Sequence, residues 1–233
     1  MSTIHFIGGE KGGVGKSVVA RVLAQYFIDH TMPLLAIDAD GSHGTLRRYY
    51  ADYAEAADLE DFGSADRIMD RALGADRRVL VDLPAQSARA LRRWLEASDV
   101  LGLAEEMSVQ LAFWHVTDGG FDSVSLLGEL VELTRGNPQR RAIAVRNHGR
   151  SSSFSQFDDS AQKRALSEAG GHVVDLPALD AATMYAIDRH GASLWAAIHA
   201  PVAERALSPM ERRRAKHWLT QAYAALAPLH DNL

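Results

Sequence analysis

The sequence contains no cysteine among its 233 residues. Disulfides, thiolate zinc sites and iron–sulfur clusters all need that side chain, so the sequence excludes them. It also lacks any run of roughly 18 apolar residues, the length that a membrane-spanning helix requires. No basic and then apolar leader precedes the first apolar run at residues 4 to 7, and a cytoplasmic protein is therefore expected.

The composition predicts one globular domain over residues 1–233, because 47% of the residues are hydrophobic and the chain is long enough for a substantial core. A formal net charge of −5 argues against a generally basic nucleic-acid binder. Most of the 25 cationic residues are arginine and several are clustered, so local basic patches remain possible.

Apolar runs that are typical of buried strands alternate with helical patterns along the chain. The expected strands are residues 4–8, 34–38, 78–82, 110–116, 142–147 and 172–177. The expected helices are residues 17–30, 65–73, 87–97, 121–134, 159–169 and 179–190. This order predicts an α/β fold with a mostly parallel, doubly wound sheet and helices on both faces.

The stretch "GGEKGGVGKS" at residues 8–17 lies between the first strand and the first helix, as a P-loop does. Its backbone N–H groups are expected to cradle phosphates, with Lys16 on the β and γ oxygens and the Ser17 hydroxyl on Mg²⁺. This scheme does not explain Lys11. The expected cofactor contacts of the loop are Lys11, Gly12, Gly13, Val14, Gly15, Lys16, Ser17 and Val18.

Carboxylates follow two of the expected strands, at the sheet edge where ligands bind in open parallel sheets. Asp38 and Asp40 end the second strand in "DADG", and Asp82 ends the third in "VLVDLP". An apolar strand that closes on aspartate is typical of a Walker B position, which holds Mg²⁺. Ser17, Asp38 and Asp82 are therefore the candidate metal ligands.

Asn147 and Pro177 stand at the ends of the fifth and sixth expected strands, on the side where a P-loop fold holds the base. An amide can match the donor and acceptor pattern of a purine edge. No Asn-Lys-x-Asp guanine motif follows a strand, which favours ATP as the nucleotide, with Mg²⁺.

The chain resembles the ParA/MinD family of deviant Walker A ATPases through "KGGVGKS" at residues 11–17, in which lysine stands at position 11 and Glu10 replaces the glycine of a strict P-loop. The segments "LLAIDAD" and "VLVDLP" look like the family's switches I and II, and the likeness runs from residue 3 to about 190.

The resemblance implies an ATP hydrolase that dimerises around two nucleotides. Lys11 would reach the phosphates of the partner's ATP, and a loop around one phosphate chain has room for only Lys16. Asp40 would position the attacking water, and Asp82 would hold the Mg²⁺ water shell. The catalytic candidates are Lys11, Lys16, Asp40 and Asp82.

The chain departs from the family pattern in two places. "GSHGTL" follows Asp40 in place of the usual Pro and Gln, and the strand expected after "ASD" is delayed to about residue 110 and ends in "VTDGG". The delayed strand, together with "VRNHGRSSSFSQFD", looks more like the small ParA-like proteins of plasmid mobilisation and conjugation, of the MobD, TraL and StbB type. The implied function is a nucleotide switch that positions or loads plasmid DNA or its transfer complex. The alternative is a small-molecule enzyme of the dethiobiotin synthetase type.

A helix at about residues 208–227 is expected to pack on the body, since Ser208 and Glu211 form a capping box. Its polar start suggests a solvated face, a patch for an unknown protein partner, or non-specific DNA binding, whereas membrane binding is unlikely. The candidate DNA contacts are Arg205, Arg212, Arg213, Arg214 and Lys216.

Overall fold

A computed structural model describes residues 1–9, 11–41, 44–200 and 207–233. Within these residues the strands are β1 (Thr3–Gly8), β2 (Leu34–Asp38), β3 (Ala54–Ala56), β4 (Arg78–Asp82), β5 (Gln110–Thr117), β6 (Arg140–Asn147) and β7 (His172–Leu176). They form one sheet in the order β3-β2-β4-β1-β5-β6-β7, with every neighbouring pair parallel. The chain winds outward from β1 in both directions, which confirms the α/β prediction.

Helices connect the strands. In the described part of the chain they are α1 (Lys16–Asp29), α2 (Thr45–Tyr49), α3 (Phe62–Leu73), α4 (Ala88–Ala97), α5 (Val100–Glu106), α6 (Phe121–Ser125), α7 (Leu127–Thr134), α8 (Ser155–Asp158), α9 (Ala161–Glu168), α10 (Ala181–His190), α11 (Leu194–His199) and α12 (Pro209–Leu226). Two 3₁₀ turns cover Ala51–Tyr53 and Ala227–Asn232.

The core has two faces because alternate residues of each strand point to opposite sides of the sheet. On one face, Ile7 and Leu80 pack with α1, α11 and α12. On the other, Phe6 and Val81 pack with α3, α4 and α5, and Ala144 packs with α7 to α9 in a neighbouring cluster. Helices thus cover both faces, as the nearly continuous apolar strands predict.

The structure adds the short helices α2, α8 and α11, which were not expected, and it differs from the expected elements in three further places. The short edge strand β3 was missed because "AEA" is only partly buried and shows no apolar run. The single helix expected at residues 121–134 is divided at Leu126, which lets Val124 and Leu127 enter the same core cluster. The segment after "ASD", where the family has a strand, forms α5 instead.

The last long helix, α12, begins with the expected capping box between Ser208 and Glu211. Trp218 and Leu219 are buried against the face that carries α1. The Trp218 indole N–H also donates a hydrogen bond of 2.7 Å to the carbonyl oxygen of Pro177, just after β7. No helix of the described residues has both the length and the apolar character needed to cross a membrane.

Candidate nucleotide-binding site

The loop between β1 and α1 depends on glycines at two positions. Gly13 and Gly15 have φ angles of 80° and 97°, in the left-handed region that other residues rarely adopt. A Cβ atom on Gly15 would lie 2.2 Å from Nδ2 of Asn147. Gly15 also precedes α1, and no side chain caps the first turn of that helix. An uncapped helix N-terminus behind a glycine turn is the arrangement that binds phosphate groups.

The Lys16 side chain lies inside this loop. Its ammonium donates hydrogen bonds to the carbonyl oxygens of Gly9 at 2.8 Å and Lys11 at 3.3 Å. The residue is buried, with 8% of its surface exposed. The loop therefore surrounds a positive charge, which is what a site for a polyphosphate requires.

Two buried carboxylates meet at the sheet edge beside the loop. Asp38 and Asp82 are register partners on β2 and β4, so their side chains leave the sheet at the same level. Asp38 accepts hydrogen bonds from the backbone N–H groups of Asp40 at 3.2 Å and Arg47 at 3.3 Å. Neither carboxylate oxygen of Asp82 has a hydrogen bond of normal geometry from the described residues.

This environment shifts both carboxyl groups. Burial raises the pKa of Asp82 to about 7, and the negative charges of Asp38 and Asp40 act in the same direction. The nearby Ser17 hydroxyl and Lys16 ammonium oppose the rise. Burial also raises the pKa of Asp38, against the effect of the backbone donors that it accepts from. An ionised Asp82 is therefore costly in this pocket unless a cation accompanies it.

The residues present fit a bound Mg²⁺. The two oxygens of Asp82, the Asp38 carboxylate and the Ser17 hydroxyl are all hard oxygen ligands, which Mg²⁺ prefers. The described residues contain no group of three or more acidic or histidine side chains placed to hold a metal by themselves. This donor set suits Mg²⁺, which is commonly bound by one or two carboxylates together with water and substrate phosphates.

Asp40 lies two residues after Asp38, in the loop that follows β2. Its backbone N–H is held by Asp38, and its carbonyl oxygen accepts a hydrogen bond of 3.0 Å from the N–H of Gly44. Asp40 is partly exposed, in contrast to Asp38. The structure thus places Asp40 beside the carboxylate pair on a turn that its own backbone helps to form.

Lys11 is bound within its own chain. Its ammonium donates a hydrogen bond of 2.6 Å to Oδ2 of Asp118, immediately after β5. This contact raises the pKa of Lys11. The lysine side chain is 50% exposed and the aspartate side chain 19% exposed. Sequence reasoning assigned no role to Asp118, although its position at the end of a parallel strand, in "VTDGG", was a signal that it lies at this edge.

The base side of the site is a cavity of about 240 Å³. Its lining includes Val18 from α1, Asn147 and Pro177 from the strand ends, and Trp218 from α12. The Asn147 amide is engaged on both sides: Nδ2 donates to the carbonyl oxygen of Val14 at 2.7 Å, and Oδ1 accepts from the N–H of Gly149 at 3.0 Å. Asn147 therefore joins the phosphate loop to the base cavity. Sequence reasoning missed the contribution of Trp218.

The basic cluster lies on the first two turns of α12. Arg213, Arg214 and Lys216 are exposed, whereas the Nε–H of Arg212 donates a hydrogen bond of 3.1 Å to the carbonyl oxygen of Leu207. Hydrogen bonds at the helix start lower the pKa of Glu211, with Arg214 contributing, so acidic charge accompanies the cluster. Arg205 lies outside the described residues.

Sequence comparisons identify relatives of the chain, and structural comparisons identify proteins with a similar fold. No model of a known protein family matches the chain. It is 31% identical over 138 residues to Protein TraL of Escherichia coli, covering 56% of this chain and 57% of that protein. A second TraL of the same organism is 27% identical over 150 residues, covering 62% of each. The match thus spans about three fifths of the length of these two relatives. Protein MobD of Acidithiobacillus ferrooxidans is 27% identical over 181 residues, covering 75% of this chain and 77% of MobD.

Two solved structures share the fold at low identity. The MinC:MinD cell division protein complex of Aquifex aeolicus matches with a TM-score of 0.52 and 12% identity, covering 97% of this chain and 96% of that one. A nucleotide-binding protein of Archaeoglobus fulgidus, in complex with ADP, matches with a TM-score of 0.51 and 14% identity, covering 81% and 86%. TraL and MobD are two of the three protein types, MobD, TraL and StbB, that the sequence motifs resemble.

Proposed function

We propose that this chain, a ParA/MinD-like P-loop protein related to TraL and MobD, is an ATP-dependent dimerising switch with slow, Mg²⁺-dependent hydrolysis. The observation that carries the proposal is the convergence of three features at one sheet edge. These are the glycine loop around Lys16, the buried Asp82 carboxylate, and the base cavity beside Asn147.

Each residue has a distinct task in this proposal. Lys16 exchanges its carbonyl partners in the loop for the β and γ phosphate oxygens. Ser17, Asp38 and Asp82 hold Mg²⁺, which neutralises charge on the phosphates when it is bound. Asp40 positions the attacking water. Val18, Asn147 and Pro177 enclose the base, with the remaining loop residues on the phosphates.

In this proposal Lys11 has one partner in the monomer and another in the dimer. In the described chain it pairs with Asp118, whereas the family resemblance assigns it to the nucleotide of a second subunit. Formation of the dimer would therefore exchange an ion pair within the chain for a contact across the interface. The ion pair is half exposed on the lysine side, so water can replace it and the exchange carries only a small cost.

The cargo that we propose is plasmid DNA or its transfer complex, recruited by the ATP-bound dimer together with a protein partner. Four cations near the start of α12 supply a weak and salt-sensitive patch for the DNA backbone, and the dimer doubles that patch. The nearby acidic residue Glu211 keeps the affinity of one subunit low.

The alternative function, phosphorylation of a small metabolite, calls for a polar or cationic pocket opposite the γ-phosphate. A cavity of about 530 Å³ does reach the end of β1 at Gly8 and Gly9. Its walls are largely apolar, including Phe6 and Phe113. The arginine in its lining, Arg92, is already paired with Glu129 at 2.5 Å, and the other charged lining residues, Glu96 and Glu132, are acidic and not cationic. This lining does not favour a polar metabolite, so the switch is the better-supported function.

Nucleotide-dependent association tests the proposal. Wild type should bind Mg·ATP in calorimetry and become dimeric in light scattering with a slowly hydrolysed analogue. Lys16→Ala should lose binding because the loop loses its central positive charge, while Lys11→Ala should bind ATP as a monomer and fail to dimerise. A wild type that stays monomeric at high protein concentration, or a Lys16→Ala variant with full affinity, would refute it. Turnover that requires an added metabolite would favour the alternative.

A further inference from the structure

The turn that follows β6 is fastened to the phosphate loop. The backbone N–H of Arg150 donates to the carbonyl oxygen of Asn147 at 2.9 Å, and the Asn147 side chain binds the Val14 carbonyl on the loop. The N–H of Gly149 closes the same turn on Oδ1 of Asn147. The backbone of Arg150 is therefore held in a fixed position relative to the loop.

The side chain of Arg150 starts between the loop and the base cavity. Its Cγ atom lies 4.0 Å from the point where a Cβ atom on Gly15 would stand, and the residue also lines the 240 Å³ cavity together with Asn147 and Pro177. Gly15 immediately precedes α1, which begins at Lys16. A long cationic side chain at this place can reach the junction of the two parts of the site.

The positive charge of Arg150 is not used elsewhere in the described residues. Arg146, four residues earlier, forms ion pairs with Asp158 at 2.9 Å and Asp175 at 2.6 Å. The guanidinium of Arg150 has no such ion pair or side-chain hydrogen bond within the described ranges, and the residue is exposed. An exposed guanidinium, with its planar set of donors, is suited to bind phosphate oxygens.

We infer that Arg150 binds the α-phosphate of the nucleotide held by its own subunit. A nucleotide is connected in the order base, ribose, α-phosphate, β-phosphate. With the base in the cavity and the β-phosphate in the loop around Lys16, the α-phosphate must lie between them, where Arg150 is placed. Lys11, the other lysine of the loop, is already bound to Asp118. This inference rests on the proposed function and adds a positioning cation to it.

Binding of Mg·ADP tests the inference, because ADP lacks the γ-phosphate and keeps the measurement on the monomer. By calorimetry, Arg150→Ala should weaken ADP binding about tenfold, the loss expected for one charge-assisted contact. Arg150→Lys should recover part of the affinity because it keeps the charge without the planar donors. Arg164→Ala, which removes another exposed arginine on α9, should bind ADP as wild type does.

Phosphorus NMR of the bound ADP distinguishes the two phosphates. The α resonance should move between wild type and Arg150→Ala, while the β resonance stays in place. Equal affinity and equal spectra in the two proteins would overturn the inference, and so would a change confined to the β resonance. Unchanged ADP binding together with lost ATP-dependent dimerisation would instead assign Arg150 to the partner's nucleotide and also overturn it. Failure of wild type to bind ADP and ATP would refute the proposed function itself.

Discussion

Replacement of Asp82 by asparagine should remove a penalty that the protein bears when no cation is bound. The residue is 1% exposed, and neither of its carboxylate oxygens has a hydrogen bond of normal geometry from the described residues. Its ionised form is therefore poorly solvated, and its pKa rises from 3.8 to about 7. The asparagine side chain is uncharged at every pH, so Asp82→Asn should make the free energy of unfolding less dependent on pH.

The size of the effect follows from the two pKa values. A rise from 3.8 to about 7 corresponds to about 4 kcal/mol at 1.36 kcal/mol per pH unit. Because the folded state holds the proton more tightly, this stabilisation is complete below pH 3.8 and is lost as the pH rises through about 7. Between pH 5 and pH 8 wild type should lose about 2 to 3 kcal/mol relative to Asp82→Asn. For a chain of this length that is about 5 to 10 °C in the unfolding midpoint.

Thermal and denaturant unfolding at pH 5 and pH 8, without nucleotide or Mg²⁺, measure this difference. The matched control is Asp52→Asn, an exposed aspartate in the 3₁₀ turn, whose offset from wild type should not change with pH. Adding Mg·ATP at pH 8 should stabilise wild type much more than Asp82→Asn. A constant difference between wild type and Asp82→Asn at the two pH values would refute the burial argument.

Four further changes test other parts of the site. Asp118→Asn weakens the acceptor that holds the Lys11 ammonium, so the ATP-dependent dimer should form at lower protein concentration in a light-scattering dilution series; an unchanged midpoint would contradict this role. Asp40→Ala should slow phosphate release and lengthen the life of the dimer, and normal turnover would count against it. Trp218→Phe removes the 2.7 Å hydrogen bond to Pro177 and should lower the free energy of unfolding by about 1 to 2 kcal/mol. It should also weaken nucleotide binding several-fold, and an unchanged affinity would show that α12 does not contribute to the base site. Replacement of residues 212 to 214 by alanine should abolish the gel shift of DNA by the protein with ATP at low salt. Equal mobility of the DNA with the variant and with wild type would exclude DNA binding by this cluster.

Much of the fold could be predicted from the sequence because its signals are local. Most of the six longer strands are nearly continuous apolar runs, and the glycines and Lys16 of the loop are close together in the chain. Parallel topology then brings Asp38 and Asp82 to one edge, since strands that run the same way end on the same side. The short edge strand β3 was not predicted because its three residues, two partly buried and one exposed, carry no hydrophobic pattern.

The contacts that complete the site could not be predicted in the same way. Lys11 and Asp118 are 107 residues apart, and their pairing depends on how two loops at the sheet edge approach each other. Helical periodicity places Trp218 on an apolar face, but it does not say which carbonyl its N–H will meet. The sequence predicts Asn147 as a base-side residue, but its hydrogen bond to the Val14 carbonyl depends on the shape of the glycine loop.

Trp218, which donates a hydrogen bond to Pro177, is synthesised long after the phosphate loop. The phosphate loop is complete by residue 17, so it leaves the ribosome well before α12. The wall of the base cavity on α12 arrives only about 200 residues later. At translation rates of about 5 to 20 residues per second, that delay is roughly 10 to 40 seconds. During this interval the cavity lacks one wall, so under the proposed function ATP would contribute little to the folding of the nascent chain. Stabilisation by the nucleotide would begin only after α12 has docked.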